Sequence, residues 1–233
     1  LQILSSTGND VRRIPYLCGM PVKENLDGLK SRLPEGVTLV AVTKNQPISR
    51  LLELYRAGHR VFGENRVQEL LEKKKQLPDD IEWHLIGHLQ TNKVKSIAGE
   101  VALIHSADSI KLLDELEKQG AAKEKTIRVL LQFHVAQEES KFGFTPESAE
   151  EVFGIPFKEK YPHLSICGIM GMGSLTENTE QVKKEFLQLK TLHTQLIKIL
   201  PQANILSMGM SGDYVLAISC GSTMIRVGSA LFV

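Results

Sequence analysis

From Val37 onward the chain alternates between short runs that are apolar on both faces and longer segments whose apolar residues recur every three or four positions. "VTLVAVTK" (37–44) reads as a strand. Pro47 then opens "PISRLLELYRAG", with apolar residues at Ile48, Leu51, Leu52, Leu54 and Tyr55 and with Gly58 closing it, the Pro-first, Gly-last asymmetry of a helix. "RVFGEN", "EWHLIGH", "VALIHSAD", "IRVLLQFHV", "LSICGIMGM", "NILSMGM" and "STMIRVGSALF" read as seven further strands. Helical segments lie between them: "RVQELLEKKKQL", the short "TNKVKSIAG", "SIKLLDELEKQG" ending at Gly120, a helix near Pro146 to Lys160, a long one from about Glu177 to Leu200, and a short one starting at Ser211.

Strands apolar on both faces belong to a parallel sheet covered on both sides. Eight such β/α units in about 200 residues predict a single (β/α)8 TIM-type barrel, with a doubly wound open sheet as the alternative. A helix over 23–33 precedes the first strand and is expected to cover the barrel's bottom. Residues 1–19, "LQILSSTGNDVRRIPYLCG", show no period. They read as an atypical extension ahead of Met20, so the domain is taken as 20–233.

Composition changes this picture little. The formal charge of +1 and 6% aromatic content give no basis for expecting a nucleic-acid or membrane partner. Cys18, Cys167 and Cys220 are odd in number and far apart, without a CxxC pair, which predicts a reduced cytoplasmic protein with no disulfide framework and no zinc-thiolate site. "HLIGH" spaces His84 and His88 by four but lacks the glutamate and helix of a zincin, so no metal is expected.

In a barrel the chemistry sits at the C-terminal strand ends. Those ends carry Lys44; Glu64 and Asn65; His84 and His88; His105 and Asp108; His134; Met170 and Met172; Met208 and Ser211; and Arg226, Gly228 and Ser229. Lys44 either snorkels to solvent or is a Schiff-base lysine, whose amine must be neutral and so needs burial or a neighbouring cation. Arg226, amid apolar residues, is either salt-bridged across the rim or a fixed donor aimed at a ligand. Ser211 either caps its helix or helps hold phosphate with Gly228 and Ser229, close to strands 7 and 8 where barrels bind phosphate.

The segments "LVAVTK", "FGENRVQELLEK", "WHLIGHLQTNKVK", "HSADS", "ESKFGF", "GIMGMGS", "SMGMSGDY" and "GSTMIRVGSALF", in this order, resemble the pyridoxal-phosphate homeostasis proteins, the YggS-like family, from about Lys23 to Phe232. The resemblance implies a barrel similar to the N-terminal domain of alanine racemase, with pyridoxal 5'-phosphate (PLP) held as a Schiff base on Lys44. It places Arg226 opposite the pyridine nitrogen, Ser211, Gly228 and Ser229 on the phosphate, and Asn65, His84 and Met208 near the ring. It assigns no role to His134. It implies intracellular storage or delivery of the cofactor, with PLP-dependent apoenzymes as candidate recipients. Little or no turnover is expected, because an arginine opposite the ring nitrogen disfavours its protonation. A monomer is the default expectation, no large exposed apolar surface being identifiable from sequence. An amino-acid racemase or related PLP enzyme is the alternative; alanine racemase draws part of its site from a second domain and a partner subunit, and no such second domain is expected here. A Schiff-base aldolase on a bare barrel fits less well with Arg226 and the Gly–Ser pair.

Overall fold

A computed structural model describes residues 22–137 and 142–232. The extension 1–19 and part of "ESKFGF" lie outside the described residues. The strands are β1 (Thr38–Val42), β2 (Val61–Glu64), β3 (Glu82–Leu85), β4 (Leu103–Ala107), β5 (Ile127–Gln132), β6 (Leu164–Met170), β7 (Ile205–Ser207) and β8 (Met224–Val227). They pair in parallel in sequence order, and β8 returns to β1 with Val40 opposite Arg226, which closes the barrel and excludes the open sheet.

The two-sided burial that suggested a parallel sheet has a direct structural origin. Alternate residues of a strand point to opposite faces. Val40, Leu103, Leu130, Met170 and Met224 form one cluster inside the barrel. Leu39, Ala41, Phe62, Leu85, Ile104 and Val129 face the helices in a second, larger core.

The helices are α1 (Val22–Lys30), α2 (Ile48–Arg56), α3 (Val67–Lys74), α4 (Val94–Ile97), α5 (Ile110–Ala122), α6 (Ala149–Phe153), α7 (Phe157–Lys160), α8 (Thr179–Ile199), α9 (Tyr214–Ser219) and α10 (Ser229–Phe232). Four expectations change. The α1 helix packs against α2 and α10 rather than over the floor, because its stripe of Val22, Leu26 and Leu29 joins the outer core. The helix expected at 146–160 is broken into a 3-10 turn, α6 and α7, with the break at Gly154 to Pro156; a proline cannot donate within a helix. The α5 helix runs two residues past Gly120, whose side-chain hydrogen is needed because a Cβ would meet His163 Cβ at 2.9 Å and the Lys125 carbonyl at 3.0 Å. The last strand ends at Val227, and Ser229 opens α10.

Candidate functional site

Lys44 follows β1 at the C-terminal end of the barrel. Thr43 is fully buried, but the chain turns at Lys44–Asn45, with Asn45 at φ 61°, and lifts Lys44 over the rim. The residue is exposed, so the burial expected for its amine is not provided by the protein alone. Next to β1, β8 presents Arg226 inward. Its guanidinium is buried, donates to Ser207 Oγ at 2.6 Å and to the Gly171 carbonyl at 3.0 Å, and meets no carboxylate within ion-pair distance among the described residues. Burial lowers its pKa to about 10, with Asp213 acting against that shift, so it remains a cation at neutral pH. This is a donor fork held by neutral acceptors rather than a rim salt bridge, and part of the fork is left for another acceptor.

From Arg226 a hydrogen-bonded chain crosses the barrel. Ser207 Oγ lies 3.1 Å from His105 Nδ1, and His105 Nε2 lies 3.0 Å from His84 Nδ1. Arginine can only donate, so the Ser207 hydroxyl has its proton for His105 Nδ1. His105 then carries its proton on Nε2 and donates to His84 Nδ1, a tautomer assigned from bond direction. Burial keeps both rings neutral: His84 is lowered to about 3, with Arg128 as the second cause, and His105 is lowered well below the usual value, with His84 and Arg226 adding to burial. His84 also lines a cavity of about 390 Å³ with Glu82, Leu103, Arg128, Asn204 and Met224, residues at the strand starts. It therefore connects with Arg226 through two intervening side chains and borders the opposite end of the barrel.

Ser211 and Gly228 are brought together, with the Gly228 N–H donating to Ser211 Oγ at 3.2 Å. Ser211 does not start the short helix; α9 begins at Tyr214, and the Asp213 carboxylate accepts the Met210 N–H at 2.5 Å. Ser229 is exposed beside them. Asn65 is half-buried after β2, and Gly87 lets its backbone approach, since a Cβ at Gly87 would collide with the Asn65 carbonyl. Met208 is fully buried in the outer core, whereas Met170 and Met224 belong to the cluster inside the barrel and Met172 packs against it. His88 Nδ1–H donates to Asp108 Oδ2 at 2.7 Å, and its ring stacks on Phe142 at 3.5 Å between centroids.

His105 stood among the strand ends without a role; the residues not singled out from sequence are Ser207, which holds Arg226 and meets His105, and Lys73, which sits behind Lys44. Strand parity could have found Ser207: it shares the inward face with Arg226, Val40 and Met224.

The alanine racemase N-terminal domain family matches residues 21–233. A pyridoxal phosphate homeostasis protein of Helicobacter pylori is 40% identical over 198 residues, covering 84% of this chain and 87% of that protein. Its counterpart in Aquifex aeolicus is 41% identical over 199 residues, covering 83% and 85%.

The chain belongs to the pyridoxal phosphate homeostasis protein family.

Within this family, PipY of Synechococcus elongatus, solved with PLP bound, superimposes with a TM-score of 0.82 at 35% identity, covering 91% of this chain and all of that one. Outside it, alanine racemase of Clostridium difficile shares the fold at a TM-score of 0.74 and 14% identity, with 55% of its length covered. The homeostasis family thus carries the racemase barrel, and the C-terminal strand ends described above are the part of that barrel to compare.

Proposed function

We propose that this chain binds PLP as a Schiff base on Lys44 and serves in intracellular homeostasis of the cofactor, storing or delivering it without catalytic turnover. The observation that carries the reading is Arg226, a buried cation held by a hydroxyl and a carbonyl and left without a carboxylate among the described residues. The donor set fits PLP. Lys44 offers an amine at the mouth, Arg226 a fixed donor for the ring nitrogen, and Ser211, Gly228 and Ser229 a hydroxyl and N–H cradle for the phosphate. Asn65 lines the same end of the barrel. In this reading His84 acts on the ring only through His105, Ser207 and Arg226, and Met208 supports the strand from behind. The bound cofactor supplies an aldehyde and an electron-withdrawing ring. Arg226 stays positive beside the ring nitrogen, so a proton there would place two cations together, and the ring is kept a weak electron sink. That argues for holding rather than converting.

The protein is read as a cytoplasmic monomer. Cys167 and Cys220 are free and buried, and among the described residues no helix is long and apolar enough to cross a membrane. The test is spectroscopic. Purified protein given PLP becomes yellow, loses its visible band with borohydride, and carries the reduced adduct on Lys44 by peptide mapping. Protein that stays colourless with Lys44 unmodified ends the reading. Alanine racemisation above that of free PLP, lost in Lys44→Ala, would replace the carrier with an enzyme.

A further inference from the structure

Both peptide groups flanking Lys44 are held by side chains of one helix. Lys73 Nζ donates to the Thr43 carbonyl at 2.7 Å, and the Asn45 N–H donates to Glu69 Oε1 at 2.9 Å. Glu69 and Lys73 are one turn apart on α3 and are themselves paired at 2.7 Å. Lys73 also donates to Glu64 Oε1 at 2.7 Å; that same oxygen accepts the Thr43 hydroxyl at 2.5 Å. Glu64 is fully buried, and its other oxygen has no hydrogen-bond partner. Burying an ion pair, with one carboxylate oxygen unsatisfied, costs more than packing apolar side chains of similar size. Stability alone does not account for such a group behind a strand. Its geometry does account for something else: it fixes the backbone on each side of Lys44 and holds Asn45 in the left-handed region.

We propose that Glu64, Glu69 and Lys73 form a positioning clamp that fixes where Lys44 presents its amine for covalent capture of PLP. The inference rests on the reading of Lys44 given under Proposed function. A ligand tied at its phosphate to the ends of β7 and β8 meets the lysine only if the Cα of Lys44 keeps one distance from that anchor. The neutral amine nitrogen adds to the aldehyde carbon, a carbon–nitrogen double bond replaces the carbon–oxygen one, and the oxygen leaves as water with both amine hydrogens. A displacement of the attacking group by about 1 Å lowers such a rate roughly a hundredfold.

Two variants test the clamp. Glu69→Ala removes the arm on Asn45, and Glu64→Gln with Lys73→Met removes both buried charges together, so that neither is stranded. Urea denaturation establishes folding. Amide exchange at Asn45 should be about tenfold faster in Glu69→Ala. Capture of PLP on Lys44, followed by absorbance and borohydride mapping, should slow about tenfold to a hundredfold in the double variant. Pyridoxine 5'-phosphate has no aldehyde, so its dissociation constant should stay at the wild-type value. Folded variants that capture PLP at the wild-type rate overturn the clamp, as does an equal loss for PLP and pyridoxine 5'-phosphate. Wild-type protein that never captures PLP on Lys44 overturns the reading beneath it, and appears as a failure of the parent rather than as a difference between variants.

Discussion

Acidification to about pH 5.5 should destabilise the cofactor-free chain, and the histidines inside it set the size of the effect. His59 is lowered to about 4, His84 to about 3, and His105 well below its usual value, with burial the first cause in each case. An unfolded imidazole titrates near 6.5. Below that pH the unfolded chain takes up a proton that the folded chain refuses, so stability falls as pH falls, from about 6.5 down to each folded pKa. At about pH 5.5 the unfolded imidazole is roughly tenfold more protonated than neutral, which by linkage is about 1.4 kcal/mol per group. His59 and His84 together give about 3 kcal/mol, a large share of the 5–15 kcal/mol typical of a domain, and His105 and His193, both also lowered by burial, act in the same direction. Burial raises the carboxyl pKa of Glu64, which acts with the opposite sign above about pH 4.5. A difference measurement removes that contribution. His84→Gln keeps an acceptor for the His105 N–H and deletes one titration. Urea midpoints of wild type and variant, compared at about pH 7.5 and pH 5.5, should show the wild type losing about 1.4 kcal/mol more, near 0.5 M urea for a slope of about 3 kcal/mol per molar. Equal losses for the two proteins would refute the claim that His84 is held neutral.

Gly168 lies at φ 151° in the β5–β6 register shift, where a Cβ would strike the Ile205 carbonyl, so Gly168→Ala should cost about 3 kcal/mol or more by chemical denaturation. Gly36→Ala, at φ 85° with open space around it, should cost only about 1 kcal/mol in the same assay. Tyr161→Phe removes a 2.8 Å bond to Asp114 and should lower stability by about 1 kcal/mol. On the cofactor reading, Arg226→Glu should favour a protonated ring nitrogen and raise PLP-dependent alanine racemisation above the parent's, measured by circular dichroism of the product.

The order of elements was readable because each strand is apolar enough to be buried on both faces and each helix has a one-sided stripe. Element ends were less readable, for physical reasons that differ from case to case. "STMIRVGSALF" is apolar or small nearly throughout, and neither composition nor period marks the point at Gly228 where strand becomes helix. Pro156 did carry a local signal against one continuous helix. Gly120 misled because half of its reason is distant: besides Lys125, in the turn that closes its own helix, it clears His163, which approaches it only in the folded barrel.

The charged residues divide in the same way. Lys44 and Arg226 stood out because each interrupts an apolar run. Lys73 could not, since "EKKK" has the composition of a solvated helix end, and nothing local distinguishes its second residue. Yet Lys73 is buried and the flanking Lys74 reaches Glu100 at 2.9 Å on the surface. The difference arises from helical phase. Lys73 follows Glu69 by one turn and Leu70 by three residues, so it lies on the face that α3 turns toward β1 and β2. There Glu64, the last residue of β2, gives its ammonium a buried partner. A lysine is stable at such a place only with that partner. The two residues therefore have to be read as a pair, nine positions apart on different elements, and their meeting at the back of Lys44 requires α3 to pack onto the paired strands β1 and β2.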